Sequence, residues 1–297
     1  MEDNGKIKVL SSIEMISDLV QGIGQDHIEN LTLIQGELDP HSYELVKGDD
    51  EKIRRADIIF YNGLGLEHGA TLSQVLRDNS KAVGVGDWLL KKHPEKILSI
   101  DSVVDPHIWM DISLWMLTIE PITEALVKMD PAHESDFRKN AHELFEKLEI
   151  AHNALLTQLA QIPEEKRYLV TSHDAFHYFG RTYFASDQER NEFSDWVKRV
   201  QAPEGLAPES QLSAVDIKEI VAHLKQHDIH VIFPESNVSQ DSIKKIVDAS
   251  HKMGIQVEIA KEPLYGDAMR SDTPKEEMRY LETLFHNAEV LIRNLNQ

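Results

Sequence analysis

The chain has 297 residues, 41% of them apolar, with 14 glycines, 11 prolines and no cysteine. That length exceeds what one core usually serves, so two globular lobes are expected, and neither a collagenous nor a disordered chain fits. With 31 basic against 51 acidic side chains the formal charge is −20. This disfavours nucleic acid or an anionic membrane as partner, and the lack of cysteine excludes disulfides, thiolate metal sites and cysteine nucleophiles.

Acidity also concentrates cations near the surface, weakly at physiological salt. No run approaches the roughly 18 apolar residues of a membrane span. The start, Met1-Glu2-Asp3-Asn4-Gly5, has neither the basic nor the apolar region of a signal peptide. Either a cytoplasmic protein or a mature chain with a new initiator fits that start.

The first third alternates short β-rich runs with helical patterns. Lys6–Leu10 reads as a strand, and Ser11 as the cap of a helix whose stripe is Ile13, Ile16, Leu19, Val20 and Ile23, with Glu14 completing a capping box. Leu31–Ile34, Asp57–Tyr61 and Ala82–Val85 are further strands. Strands alternating with helices imply βαβ units and a parallel sheet.

From Pro131 to Ile162 the apolar residues Phe137, Ala141, Leu144, Leu148, Ala151, Leu155 and Leu159 recur at steps of three or four. This predicts one amphipathic helix of about 45 Å, opened by Pro131 and ended by Pro163. A helix that outruns one βαβ crossover reads as a rigid spine. The expected organisation is an N-terminal α/β lobe over 1–130, a linking helix over 131–163 and a C-terminal α/β lobe over 164–297.

In the second lobe Tyr168–Ser172, Ile229–Phe233 and Ile255–Ile259 read as strands. Phe176–Tyr183, Ser213–Gln226 and Asp241–Met253 read as helices, and Pro274 opens a terminal helix that buries Met278, Leu281, Leu284 and Leu291. Ser186–Ser210 is polar with weak periodicity and is expected to be a loop-rich insertion without an assigned role.

Two local frames repeat, Asp39-Pro40-His41 and Asp105-Pro106-His107. Proline stiffens each loop, and in open α/β sheets ligands bind beyond the carboxyl ends of strands. One Asp-Pro-His is an ordinary turn with an incidental histidine; two copies in one lobe make a ligand pair as good a reading. His173 follows a strand in the second lobe, where it either binds a ligand or caps the next helix. Asp267 follows Gly266, which permits unusual backbone geometry, and such an Asp is commonly a turn residue. Glu235, just past the strand Ile229–Phe233, is placed to orient a ligand rather than to bind.

His173-Asp174-Ala175-Phe176-His177 is similar to the H-E-x-x-H peptidase signature. Its Asp is too short to stand in for the glutamate base, and His173 falls at a strand–helix junction rather than inside a helix. A metal-dependent hydrolase using His173 and His177 is therefore the minor alternative. Gly63-Leu64-Gly65-Leu66-Glu67-His68 lacks the third glycine of a dinucleotide site, and Lys91-Lys92-His93 reads as a solvated charge run.

Taken in order, Asp39-Pro40-His41-Ser42-Tyr43-Glu44, Ala56 to Glu67, Asp105-Pro106-His107-Ile108-Trp109-Met110-Asp111, Thr171 to Phe176 and Ile232-Phe233-Pro234-Glu235-Ser236 closely resemble the solute-binding receptors of manganese, zinc and iron ABC importers. These are the cluster A-I, or class III, periplasmic binding proteins with a helical backbone, and the resemblance covers nearly the whole chain. It implies an α/β fold of two lobes, each with a small parallel-sheet core, joined by a single long spine helix that permits only small lobe adjustments.

It also implies a metal-binding cleft with His41 and His107 from one lobe and His173 and Asp267 from the other. Asp267 is followed by Ala268 where the family usually has Ser. The cargo would be one divalent transition metal ion, manganese, iron or zinc, captured outside the cytoplasmic membrane by a periplasmic or lipid-anchored monomer and passed to an ABC permease and its ATPase. The implied protein is not an enzyme; a surface adhesin role is sometimes ascribed to the family.

Three imidazoles and a carboxylate suit these metals better than copper(I) or calcium. Four protein ligands favour carriage over catalysis. Histidine must be neutral to bind, so affinity is expected to fall as pH drops through about 6.5. Residues 89–104 contain only His93 where zinc-specific relatives carry a His-rich loop, which tilts the expectation toward manganese or iron.

Overall fold

The computed structural model describes residues 5–207, 212–271 and 278–296. The chain forms two compact units, one of residues 1–152 and 268–280, the other of residues 153–267 and 281–297.

The first unit runs β1 (Ile7–Ser11), α1 (Glu14–Gly24), β2 (Ile28–Thr32), α2 (Asp49–Arg55), β3 (Ile58–Tyr61), α3 (Ala70–Asp78), β4 (Ala82–Gly84) and α4 (Val85–Lys92). A hairpin of β5 (Ser99–Ile100) and β6 (Val103–Val104) then leads to α5 (Ile112–Trp115) and α6 (Ile119–Met129). Strands β2-β1-β3-β4 form one parallel sheet, as the βα alternation predicts. Val9 and Leu10 of the inner strand are fully buried. The ladder continues past β2, where Leu33 and Ile34 N–H donate to the Ser11 and Ser12 carbonyls, each at 2.9 Å. The strand expected over Leu31–Ile34 thus starts earlier and carries the chain outward toward His41.

The expected cap of α1 is corrected. Ser11 lies within β1 and its hydroxyl pairs with Asn30 Oδ1 at 3.2 Å, while the position before α1 is Ile13, without a side-chain cap. Sheet pairing takes Ser11 instead, in register with Thr32 on one side and Phe60 on the other. Glu14 instead binds the Arg279 guanidinium at 2.9 Å.

The predicted spine is α7 (Glu134–Leu159), 26 residues entered through a 3-10 turn at Pro131–His133, or about 39 Å. It is continuous across the junction between the two units. Phe137, Ala141, Leu144, Leu148, Ala151, Leu155 and Leu159 are all buried along it, so the stripe read from sequence is its packed face.

The second unit continues with β7 (Leu169–Val170), α8 (His177–Phe179), a π-helical turn at Gly180–Phe184, α9 (Phe193–Trp196) and β8 (Val200–Gln201). Next come α10 (Ala214–Gln226), β9 (Val231–Ile232), α11 (Asp241–Lys252), β10 (Glu258–Ile259) and, from residue 281 on, α12 (Arg279–Leu295). Two parallel pairs, β7–β8 and β9–β10, are linked by Phe233 N–H to the Val170 carbonyl at 2.8 Å. Val170, Ile220, Leu224, Ile232, Ile243 and Ile246 make the core between these strands and α10 and α11. Ser213 and Asp216 form a reciprocal capping box at the start of α10.

The stretch 186–210, expected to be loop, contributes β8, which pairs with β7. A strand of two residues is too short to leave an alternating pattern. Pro274 lies outside the described residues, and Met278 precedes α12 rather than lying on its buried face. Among the described residues no helix is long and apolar enough to cross a membrane.

One buried acid in the first unit makes stability depend on pH. Asp18 on α1 accepts the Tyr280 N–H at 2.8 Å. Burial pushes its carboxyl from 3.8 up to about 6, against the opposing pull of that N–H and of Arg279. The folded pKa is raised, so this contribution is fully present below 3.8 and is lost as pH rises through about 6. Asp18→Asn removes the charge and keeps an acceptor. It is expected to stabilise the protein by about 1–3 kcal/mol at pH 7.5 and by almost nothing at pH 4, read by thermal unfolding at both pH values.

Candidate metal centre

In the first unit the two Asp-Pro-His frames fold alike. Asp39 Oδ1 accepts the His41 N–H at 2.8 Å and Asp105 Oδ1 accepts the His107 N–H at 3.0 Å. Each Asp thus closes a turn on the residue two positions ahead. Asp105 does a second job, since the same oxygen lies 2.7 Å from His107 Nδ1. A carboxylate accepts only, so Nδ1 carries the ring proton and Nε2 presents its lone pair. That lone pair faces His41, with the two Nε2 atoms 3.2 Å apart. Both rings are buried.

The scaffold behind this pair is polar and hydrogen-bonded. Glu67 accepts from the Ser12 hydroxyl at 2.6 Å and from the N–H groups of Asn62 and Gly63 at 2.8 and 3.0 Å. Burial raises its pKa, while those three donors act to lower it. Asn62 in turn donates to the Pro106 carbonyl at 3.0 Å, tying the end of β3 to the His107 loop. Trp109 packs edge-on to His107, and the Tyr280 hydroxyl donates to the Trp109 carbonyl at 2.6 Å.

In the second unit His173 lies just past β7, bridged to Glu204 in parallel register. Glu235 Oε1 accepts the N–H groups of Ser172 and His173 at 3.0 and 2.8 Å, and its Oε2 lies 2.8 Å from His173 Nδ1. The other ring nitrogen, Nε2, lies 3.1 Å from Asp267 Oδ2. His173, Glu235 and Asp267 are all buried. Burial by itself would lower the His173 pKa; the facing carboxylates of Glu235 and Asp267 outweigh it and hold the pKa well above 6.5.

Gly266 serves this arrangement differently from the expectation. Its backbone is not among the left-handed glycines; what it provides is space, because a Cβ there would sit 2.4 Å from Glu235 Oε2 and 3.4 Å from His173 Cε1. His177 opens α8 while His173 precedes it in extended chain, so the two do not share a helix face as the peptidase signature requires. The His177 ring instead packs edge-on to Trp196.

The structure therefore brings His41 to His107 in one unit, and His173 to Asp267 and Glu235 in the other. His41, His107, His173 and Asp267 each offer one ligand atom of the kind a metal takes. Sequence reasoning gave no role to Asp105 or Glu67. The Asp105 role was signalled by its spacing two residues before a histidine, whereas the buried role of Glu67 becomes visible only once β1 and β3 are side by side.

Buried imidazoles and carboxylates gathered at the strand ends of parallel sheets are the donor set of a metal-binding protein. The chain belongs to the family of zinc-uptake complex component A, periplasmic, whose model matches residues 9–294. It is 41% identical over 290 residues to the metal-binding protein YtgA of Chlamydia muridarum, covering 98% of this chain and 86% of that one. It is 33% identical over 274 residues to the manganese-binding lipoprotein MntA of Bacillus subtilis, covering 91% and 84%. The crystal structure of Fe(III)-bound YtgA from Chlamydia trachomatis matches with a TM-score of 0.91 at 40% identity, over 98% of both chains.

Proposed function

We propose that the protein captures one first-row transition-metal ion, manganese, iron or zinc, outside the cytoplasmic membrane and hands it to an ABC permease driven by its ATPase. His41, His107 and His173 each give one imidazole nitrogen, and Asp267 gives one carboxylate oxygen. The observation that carries this reading is the tautomer control. Asp105 and Glu235 each hold an Nδ1–H, which leaves the Nε2 atoms of His107 and His173 as the metal-facing ones, the first toward His41 and the second toward Asp267, where a metal would displace the proton now shared with that carboxylate.

Names of relatives support the cargo class, since they bind manganese or carry Fe(III). The relatives' lipoprotein and periplasmic descriptions support an extracytoplasmic location. Four protein donors close a tetrahedral zinc site, which favours carriage over catalysis. Glu235 orients His173 without binding the metal.

Competitive titration of the purified protein with zinc and manganese tests the reading: stoichiometric uptake of one ion supports it, and no uptake of either sinks it. His177→Ala separates it from a hydrolase. The receptor reading expects metal affinity within about threefold of wild type, because His177 packs on Trp196 and is no ligand. A hydrolase using His173 and His177 would lose its metal.

A further inference from the structure

A third imidazole stands beside the first pair. His68 is exposed, and its ring centroid lies 5.5 Å from that of His41, against 5.2 Å between His41 and His107. All three belong to the first unit. The His68 backbone is locked to the loop that carries His41. Glu44, three residues past His41, accepts the N–H groups of Ala70 and Thr71 at 2.7 and 3.0 Å. Gly69 lies so close to the Tyr43 carbonyl that a Cβ would sit 2.0 Å from its oxygen, so only glycine permits this approach. The ring is oriented too. Its Nδ1 lies 3.1 Å from the Gly65 carbonyl, an acceptor only, so Nδ1 carries the proton and Nε2 the lone pair that metals take.

We propose that His68 is a transit ligand for the metal. Resting on the receptor reading above, it takes a partly hydrated dication at the surface together with His41 and passes it inward to the buried His41–His107 pair. A hydrated ion sheds its waters stepwise, and an exposed imidazole beside a buried one replaces a water before the remaining ligands are reached. His68 is absent from the final ligand set, so it lowers the barrier between the free and bound ion without stabilising the bound state. By microscopic reversibility it therefore speeds loading and unloading equally.

Stopped-flow loading with zinc and chelator-driven unloading, on the full chain, test this. For His68→Gln both rates are expected to fall at least threefold with the equilibrium affinity within twofold of wild type. His142→Gln, at a 73% exposed histidine on α7, serves as control and should leave both rates unchanged. An unchanged loading rate in His68→Gln overturns the proposal. So does a slower loading rate with an unchanged unloading rate, which would mark long-range attraction, or a faster unloading rate, which would mark a ligand of the bound state. Equal slowing in His142→Gln overturns it as well. Failure of wild type to bind zinc or manganese would instead sink the receptor reading; wild-type binding with any of the overturning rate patterns sinks only the transit role.

Discussion

Replacing His107 with alanine is expected to weaken zinc or manganese binding by at least ~100-fold, beyond the 10–100-fold typical of an outer-shell partner. The ring is fully buried and its Nε2 faces His41 Nε2 at 3.2 Å. Without it the metal loses a nitrogen donor, and the buried space left behind is lined by Trp109 and the Asp105 carboxylate. The fold should survive, because Asp105 keeps the backbone N–H of residue 107 and Glu67 and Asn62 keep the adjoining loop. Two measurements separate folding from binding. Thermal unfolding of the metal-free variant should stay cooperative. The stabilisation that wild type gains from metal, about 4 kcal/mol at a thousandfold excess over Kd, should largely disappear. A variant that still gains the full shift would remove His107 from the ligand set.

Much of this architecture was legible because it is written in periodicity and order. The apolar stripe from Phe137 to Leu159 gives the spine helix directly, since a helix packed along one face must repeat at three and four. The repeated Asp-Pro-His frame was legible for a local reason, each Asp closing its own turn within two residues. The ordered motifs pointed to the same fold as the alternation of strands and helices.

What stayed hidden is tertiary. β8 is two residues inside a polar stretch, and it exists because β7 offers it a parallel edge. Ser11 and Glu14 satisfy the capping-box pattern, yet Ser11 is held by Asn30 and Glu14 by Arg279, partners 19 and 265 residues away. Gly266 looked like a backbone device and is a steric one, which depends on the position of Glu235, a side chain from another loop. Long-range partners of this kind leave no mark within a sequence window.

Glu235→Gln gives the other large effect, and its cause is a proton. Glu235 Oε1 holds the N–H groups of Ser172 and His173 while Oε2 lies 2.8 Å from His173 Nδ1. Gln keeps one acceptor for the backbone and places an NH2 group against Nδ1. Two donors cannot face each other, so His173 must move its proton to Nε2, the nitrogen that lies 3.1 Å from Asp267 and that the metal requires. Metal affinity at pH 7.5 is expected to fall about 10–100-fold, although no donor atom to the metal has been deleted.

The pH dependence carries the diagnostic signature. In wild type the Glu235 and Asp267 carboxylates overcome the lowering effect of burial and hold the His173 pKa well above 6.5. A proton therefore competes with the metal from above that value, and affinity falls earlier on acidification than the ordinary histidine value would give. Removing the Glu235 charge lets burial pull the His173 pKa down, so the variant's affinity should vary less with pH across the neutral range. Competitive titrations at several pH values between about 6 and 8.5 measure both curves. Parallel curves would mean that Glu235 acts only as a backbone clamp and does not set the protonation of His173.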